Sequence, residues 1–197
     1  MKVAVASKRL QTISSLLDQH KEPKFRLQQI CNSIYSKKVP EITKIASIPQ
    51  KLKDDLVKSF ERDKILSFEV ADIQKSTQAT KALFKLHDNE KVESVFMKFQ
   101  NGHTSLCISS QVGCALKCNF CATGAIGFKR QMTPDEITDQ VLYFQQLGEK
   151  VDSISFMGMG EPLMNPKLFD AIEMLTNENL FNMPERRLSV STVGWYT

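Results

Sequence analysis

Long apolar runs are absent from this sequence. No stretch approaches the ~20 consecutive apolar residues that a membrane-spanning helix needs, and the opening MKVAVASKRLQT lacks the apolar core of a secretory signal. Internal repeats and low-complexity tracts are missing as well. With 42% hydrophobic and 24% charged residues in a chain of 197, we expect a globular cytoplasmic protein of one large or two small domains, with no membrane partner.

Cysteine and histidine are scarce, with five and three residues respectively. The reducing cytoplasm does not favour a structural disulfide framework, so clustered cysteines there indicate metal or redox chemistry. Three of the five cysteines are clustered in the short stretch CALKCNFC, as Cys114, Cys118 and Cys121. This cluster is therefore the first candidate for a functional site.

Three clustered cysteines are one fewer than the four ligands that most zinc and iron–sulfur sites take. A structural zinc site takes four ligands, and only Cys107 or a histidine such as His103 lies near enough in sequence to complete it. An iron–sulfur cube normally takes four thiolates, and three would leave one iron open to a small chelating cofactor. The spacing favours a cluster with one open iron, and zinc stays an alternative.

Charge is distributed unevenly along the chain. Residues 1–100 hold 19 Lys and Arg against 12 Asp and Glu, whereas residues 101–197 hold 7 against 10. A basic first half beside a slightly acidic second half is typical of a polyanion-binding module joined to a catalytic one. The alternative is that the lysines only solvate the outer faces of small helices.

The first hundred residues predict a helical module followed by a small antiparallel sheet. Leu10, Ile13 and Leu17 recur at helical spacing, and further helices are predicted after Pro23 and from Pro49. Beyond residue 65 the apolar residues alternate. KALFKL (81–86) and KVESVFMK (91–98) flank a predicted hairpin turn. We assign residues 1–100 to a basic accessory domain, for which RNA is one candidate partner.

The second half predicts an α/β fold with parallel strands. LCIS (106–109), VDSISFM (151–157) and RRLSVST (186–192) are predicted strands. The helix between the first two has Thr133 as N-cap, Pro134 at its first position and Glu136 completing a capping box. A second helix is predicted from Asn165-Pro166. Residues 101–197 therefore predict about three βα units, the first part of a partial TIM-type barrel.

The cysteine spacing resembles the signature of a known superfamily. CxxxCxxC with an aromatic residue before the third cysteine, here Phe120, resembles the radical S-adenosylmethionine (SAM) motif. The loop follows the first parallel strand, where such folds place their active sites. One strand later, GMGEP offers Gly158 and Gly160 for close backbone approach and Glu161 as an acceptor for an ammonium group. A tight turn with a solvated Glu161 is the alternative.

Three longer motifs extend the resemblance to one family, the Cfr/RlmN family of radical SAM 23S rRNA adenine methyltransferases. They are SSQVGCALKCNFCATG (109–124), FMGMGEP (156–162) and RRLSVST (186–192). CISSQ (107–111), DEITDQVLYF (135–144) and DSISFMGMGE (152–161) resemble the Cfr branch more, whereas QVGCALKC (111–118) also matches the RlmN branch. The resemblance implies methylation of an adenosine in the peptidyl-transferase centre. Carbon 8 and antibiotic resistance are implied for a Cfr-like protein, and carbon 2 for an RlmN-like one.

The resemblance also implies roles for individual residues. The [4Fe–4S] cluster would be held by Cys114, Cys118 and Cys121, and SAM would be contacted by Gly160, Glu161 and Ser191. Glu93 matches the family's proton acceptor, although alone it reads as an exposed strand residue beside Lys91. Cys107 matches a cysteine that forms a disulfide with a carboxyl-terminal partner during turnover. Alone it reads as a small buried hydrophobe.

The sequence departs from this family at its end. The methyl-carrying cysteine of the family would lie beyond residue 197, and the final WYT no longer resembles it. We therefore expect a carboxyl-terminally truncated, monomeric chain that does not turn over and that would need an external electron donor. Two alternatives stay open: a radical SAM enzyme with another substrate, and a non-catalytic RNA-binding protein stabilised by zinc or a cluster.

Overall fold

The computed structural model describes residues 7–194, so the opening six residues and the predicted departure at Trp195–Thr197 lie outside the described residues. Within that range the helices are α1 (Lys8–Gln19), α2 (Phe25–Cys31), α3 (Gln50–Phe60), α4 (Ala122–Ile126), α5 (Pro134–Gln146) and α6 (Leu168–Thr176). A π-helical turn, Asn32–Ser36, continues α2. The three predicted helices of the first 60 residues are confirmed, with Pro49 at the N-cap of α3 and not inside it.

The strands of the described residues are β1 (Phe68–Lys75), β2 (Ala79–Leu86), β3 (Lys91–Lys98), β4 (Thr104–Cys107), β5 (Gln111–Val112), β6 (Arg130–Gln131), β7 (Ser153–Phe156) and β8 (Leu188–Val190). Six of them form one sheet in the order β1-β2-β3-β4-β7-β8, and β5 pairs separately with β6. The first four strands are antiparallel: the pairing of β1, β2 and β3 was predicted by the hairpin signals, and the pairing of β4 with β3 was not. β4, β7 and β8 run parallel, which confirms the predicted crossovers.

The antiparallel and parallel parts belong to one continuous sheet. β3 pairs with β4 so that Val95 lies opposite Cys107, and this pairing spans residue 100. The division into residues 1–100 and 101–197 stays a prediction, and the sheet crosses the proposed boundary.

Helices α5 and α6 cover one face of the sheet. The capping box of α5 forms as predicted: the Thr133 hydroxyl accepts from the Glu136 backbone N–H, and the Glu136 carboxylate accepts from the Thr133 N–H. Along β3, alternate side chains are buried against this layer, and those on the opposite face are half-exposed. Glu93 and Val95 are among the side chains on the half-exposed face.

Two apolar clusters make up the core. The first joins the sheet to α5 and α6, with Phe84, Phe96 and Phe144 fully buried in it. The second lies among α1, α2 and α3 and also takes in Leu142 and Met174 from the crossover helices. The helical module thus packs on the outside of the crossover layer, away from the half-exposed face of the sheet.

None of the helices in residues 7–194 combines the length and the apolar character needed to cross a bilayer.

Candidate functional site

The three clustered cysteines lie on one loop. This loop leaves β5 and returns at β6, and its base is closed by a hydrogen bond from the Cys114 N–H to the Gly127 carbonyl at 3.2 Å. Gly113 permits this closure, because a Cβ atom there would lie 1.8 Å from the Gly127 carbonyl oxygen. Cys114 is buried, and Cys118 and Cys121 are half-buried. The loop therefore holds the predicted ligands together in one short segment.

The sulfur atoms are not drawn together into a metal site. Within residues 7–194, no group of three or more His, Cys, Asp or Glu side chains is close enough to hold a metal ion. The donor chemistry nevertheless fits an iron–sulfur cluster, since three thiols share one loop. In addition, the backbone N–H of Gly124 lowers the pKa of the Cys121 thiol, with help from Thr123. Ligation would require the loop to close further around the cluster.

The GMGEP loop follows β7 and packs directly on the segment that precedes the cysteine loop. Ser110 and Gln111 both donate their backbone N–H groups to the Met159 carbonyl, at 2.9 and 3.1 Å. Gly160 has a φ of +102°, and a Cβ atom there would lie 2.5 Å from the Gln111 side chain. The GMGEP loop is therefore held by close backbone packing against Ser110 and Gln111, which lead into the cysteine loop.

Glu161 has a buried carboxylate that already accepts hydrogen bonds. Its side chain is only 4% exposed. It accepts from the Thr192 hydroxyl and, at 3.1 Å, from the Val193 N–H. Ser191 is exposed at the end of β8, one residue before Thr192. Glu161, from the loop after β7, and the Thr192–Val193 segment after β8 thus meet beyond the carboxyl ends of two neighbouring parallel strands, the edge where such sheets bind ligands.

Glu93 and Cys107 lie on neighbouring strands of the half-exposed face. Glu93 is on β3 two residues from Val95, and Val95 is directly opposite Cys107 on β4. The Glu93 carboxylate forms an ion pair at 3.3 Å, and its partner is Lys81 on β2, not the neighbouring Lys91 that the sequence suggested. The structure therefore brings these two predicted residues to one surface.

The Cys107 thiol is free, as are the other four cysteines. The predicted disulfide is therefore not supported within this chain: Cys107 lies on β4, the clustered three lie on the loop after β5, and Cys31 is buried in the helical module. Burial raises the pKa of the Cys107 thiol, partly offset by a hydrogen bond with Ser155. Burial thus makes the reactive thiolate form of Cys107 harder to reach.

Sequence reasoning missed several buried polar residues that hold the site. Asn165 is 1% exposed, and its amide donates to the carbonyls of Ser110 and Met132 at 2.7 and 2.9 Å. Gln140 is fully buried on α5, where its amide binds the backbone of Ser109. The sequence signal for these residues is an amide side chain at an otherwise apolar position. Their hydrogen-bond partners could not be predicted, because those partners are distant in sequence.

Comparisons with known proteins agree with this site. Residues 108–197 match the Radical SAM superfamily. The chain is 47% identical over 182 residues to "Ribosomal RNA large subunit methyltransferase Cfr" of Staphylococcus warneri, covering 92% of this chain and 52% of that protein. The protein of the same name from Lachnoclostridium phytofermentans is 46% identical over 184 residues, covering 93% and 53%. The chain therefore spans about half the length of these curated relatives.

A solved structure is similar as well. The crystal structure of a radical SAM methyltransferase from Sphaerobacter thermophilus superposes with a TM-score of 0.86 at 29% identity, covering 98% of this chain and 57% of that one. It supports the α/β architecture predicted from the sequence, because nearly the whole chain takes part in the match.

The cysteine loop, the GMGEP motif and these matches define a radical SAM protein. This class confirms the two predicted cofactors, a [4Fe–4S] cluster and SAM. Within the class, the chain is similar over more than nine tenths of its length to the relatives named Cfr, in agreement with its longer motifs.

Proposed function

We propose that this chain carries the cluster-binding and SAM-binding part of an enzyme that methylates an adenosine of 23S rRNA. The observation that carries the proposal is the meeting of three segments at one sheet edge: Ser110–Gln111, which leads into the cysteine loop, the GMGEP loop with Glu161, and Thr192 after β8. The relatives named as rRNA large subunit methyltransferases support the reaction class. The Cfr-like motifs favour carbon 8 over carbon 2.

Each predicted residue has a role in this proposal. Cys114, Cys118 and Cys121 would hold the cluster and, as three thiolates for a cube that normally takes four, would leave one position for SAM. Gly160, Glu161 and Ser191 would bind SAM. When bound, the cluster and SAM together supply a 5′-deoxyadenosyl radical.

The half-exposed face of the sheet supplies the remaining groups. Glu93 takes up a proton from the base. The Cys107 thiol, on the neighbouring strand, would take part in releasing the methylated product together with a carboxyl-terminal cysteine such as the family has.

The basic first half would bind the RNA. Its excess of lysine and arginine is carried by the helical module and the antiparallel strands. Phosphate contacts make binding strongly dependent on salt. Affinity for an rRNA fragment should therefore fall steeply as salt rises, and an affinity indifferent to salt would contradict this role. A cytoplasmic location, a monomeric state and an external electron donor complete the proposal.

Anaerobic reconstitution tests the cofactor part. With iron and sulfide, the chain should take up about four irons, as a thiolate-ligated cube does. Ala at Cys114, Cys118 or Cys121 should each reduce that content, whereas the matched variant Cys31→Ala should not. One bound zinc and no iron would favour the zinc-stabilised alternative instead.

Expression in a strain that lacks the methylase tests the reaction. Mass spectrometry of the digested rRNA should show no methylated adenosine if this chain does not turn over, and a methylated adenosine would overturn that prediction and show whether carbon 8 or carbon 2 is modified. Finding neither rRNA binding nor SAM binding by the reconstituted chain would contradict the proposal. The prediction that this chain does not turn over is tested by the same digest.

A further inference from the structure

A buried serine, Ser109, lies where three parts of the site meet. Its hydroxyl donates to the backbone carbonyl of Glu93 on β3 at 2.7 Å and accepts the N–H of Met159 in the GMGEP loop at 2.9 Å. Ser109 itself belongs to the segment that leads from β4 towards the cysteine loop. A single hydroxyl therefore joins the strand of the proposed proton acceptor to the loop of the proposed SAM site.

Gln140 holds Ser109 in place. Its Oε1 accepts the Ser109 N–H at 2.9 Å, and its Nε2 donates to the Ser109 carbonyl at 2.8 Å. β4 ends at Cys107, so the backbone of Ser109 is paired by this side chain and not by a neighbouring strand. The side chains of Ser109 and Gln140 are fully buried. Because the Gln140 amide binds both the N–H and the carbonyl of Ser109, the Ser109 backbone has little freedom to move.

The GMGEP loop approaches this point closely. The Gly158 N–H donates to the Ile108 carbonyl at 3.1 Å. A Cβ atom at Gly158 would lie 2.8 Å from the Ile108 carbonyl oxygen and 2.8 Å from the Ser109 hydroxyl. The loop is thus seated against the backbone at residues 108–109, and the Ser109 hydroxyl determines where Met159 sits.

We propose that Ser109 is a positioning residue that sets the GMGEP loop for SAM and keeps it in register with Glu93. It acts through Met159 and through the Glu93 carbonyl, and it touches neither cofactor. This inference rests on the proposed function, because it concerns the same SAM site.

Ser94 provides a matched control. Its hydroxyl donates to Gln140 Oε1 at 2.6 Å, and its side chain is as buried as that of Ser109. Ala at either position removes a buried hydroxyl from the same hydrogen-bond network. Of these two serine hydroxyls, only that of Ser109 binds the GMGEP loop, by accepting the Met159 N–H, whereas the Ser94 hydroxyl binds Gln140.

The experiment compares Ser109→Ala and Ser94→Ala in the reconstituted chain. Urea unfolding should show similar losses of stability for the two variants. Equilibrium dialysis with labelled SAM should show about three- to tenfold weaker binding for Ser109→Ala, the effect of one lost buried hydrogen bond, and less than about twofold change for Ser94→Ala. Equal effects of the two variants, or none, would overturn the positioning role.

A second readout does not depend on the cofactors. In the metal-free chain, hydrogen exchange at the Met159 N–H should accelerate in Ser109→Ala and not in Ser94→Ala. Unchanged exchange at Met159 would overturn the inference. If the exchange result holds but the unsubstituted chain binds no SAM, the proposed function fails and the structural coupling stands. If Ser109→Ala does not fold, Ser109→Cys replaces it, because a thiol is a weaker hydrogen-bonding group of similar size. SAM affinity and Met159 exchange in Ser109→Cys should then change by less than a full loss of the hydrogen bond would predict. Values equal to those of the unsubstituted chain would count against the positioning role.

Discussion

At the scale of single residues, the chemistry of this site depends on which polar groups are buried. The Glu161 carboxylate is buried and accepts from the Thr192 hydroxyl and the Val193 N–H, so it stays oriented towards the edge of the sheet. The Glu93 carboxylate is more exposed and pairs with Lys81 across the hairpin. Two carboxylates of similar intrinsic acidity therefore have different environments, which suits the different roles proposed for them.

Cys107 offers a prediction at this scale. Because burial raises the pKa of its thiol, the reactive thiolate is scarcer at a given pH than in an unfolded chain. Alkylation of Cys107 by iodoacetamide in the metal-free chain should therefore rise at a higher pH than in the urea-unfolded chain, as measured on its peptide by mass spectrometry. Ser155→Ala should move the rise to still higher pH, because the Ser155 hydrogen bond lowers the pKa.

Coincident pH profiles for the folded and unfolded chains would contradict this account of Cys107. Alkylation of the same peptide in the fully unfolded chain is the internal control, because unfolding removes the burial of Cys107 and leaves its neighbouring residues in sequence unchanged.

At the scale of elements, the cysteine loop depends on its closed base. The antiparallel pair β5–β6 and the hydrogen bond from Cys114 to Gly127 bring the two ends of the loop together. Arg130 on β6 also binds Glu136 at the start of α5 and Asp88 in the β2–β3 turn, at 2.9 and 2.5 Å. The loop is thus anchored to both the crossover helix and the hairpin.

Gly113→Ala tests this closure. Gly113 has a φ of +73°, and an added Cβ would overlap the Gly127 carbonyl, so the base of the loop must open. We expect iron content after reconstitution to fall to less than about half, because the first ligand follows directly. The matched control is Gly102→Ala in the β3–β4 turn, which has a φ of +80° but no atom within 4 Å of the added Cβ.

Both variants carry the backbone strain of a left-handed residue, about 1–2 kcal/mol. Only Gly113→Ala adds the collision. Equal iron content in the two variants would show that closure of the base is not needed for the cluster.

At the scale of the whole molecule, the helical module is joined to the crossover layer by a buried ionic contact. Arg9 on α1 donates to Asp139 on α5 at 2.5 Å, and both side chains are almost fully buried. The neighbouring Asp135 accepts from the Ser7 hydroxyl at 2.6 Å and from the Arg9 N–H at 3.1 Å. The first helix is therefore bound to a helix 126 or more residues later.

Arg9→Met should destabilise the chain. Removing one partner of a buried ion pair costs roughly 3–5 kcal/mol, because the remaining charge loses its compensation. Urea unfolding measures the loss. The double variant Arg9→Met/Asp139→Leu should recover much of it, since it leaves no unpaired charge.

The loss should also depend on pH. Burial raises the pKa of the Asp139 carboxyl, and Arg9 opposes that rise. Without Arg9, the Asp139 carboxyl binds its proton more tightly in the folded chain than in the unfolded chain. The free energy of unfolding of Arg9→Met should therefore fall as pH rises through the raised pKa of Asp139. A loss of stability in Arg9→Met that does not change with pH, or a double variant no more stable than Arg9→Met, would contradict the conclusion that the Arg9–Asp139 pair stabilises the fold.

Features encoded within a few residues were determined by the sequence alone. The cysteine spacing, the GMGEP turn and the capping box of α5 each depend on neighbouring residues. The alternation of apolar residues predicted the hairpin, and the order of strands and helices predicted the parallel strands. The tertiary structure decided which side chains meet. Thr192 reaches Glu161 across 31 residues and Arg9 reaches Asp139 across 130. Such contacts depend on strand order and helix packing, because distant residues become neighbours only when the sheet and its covering helices have formed.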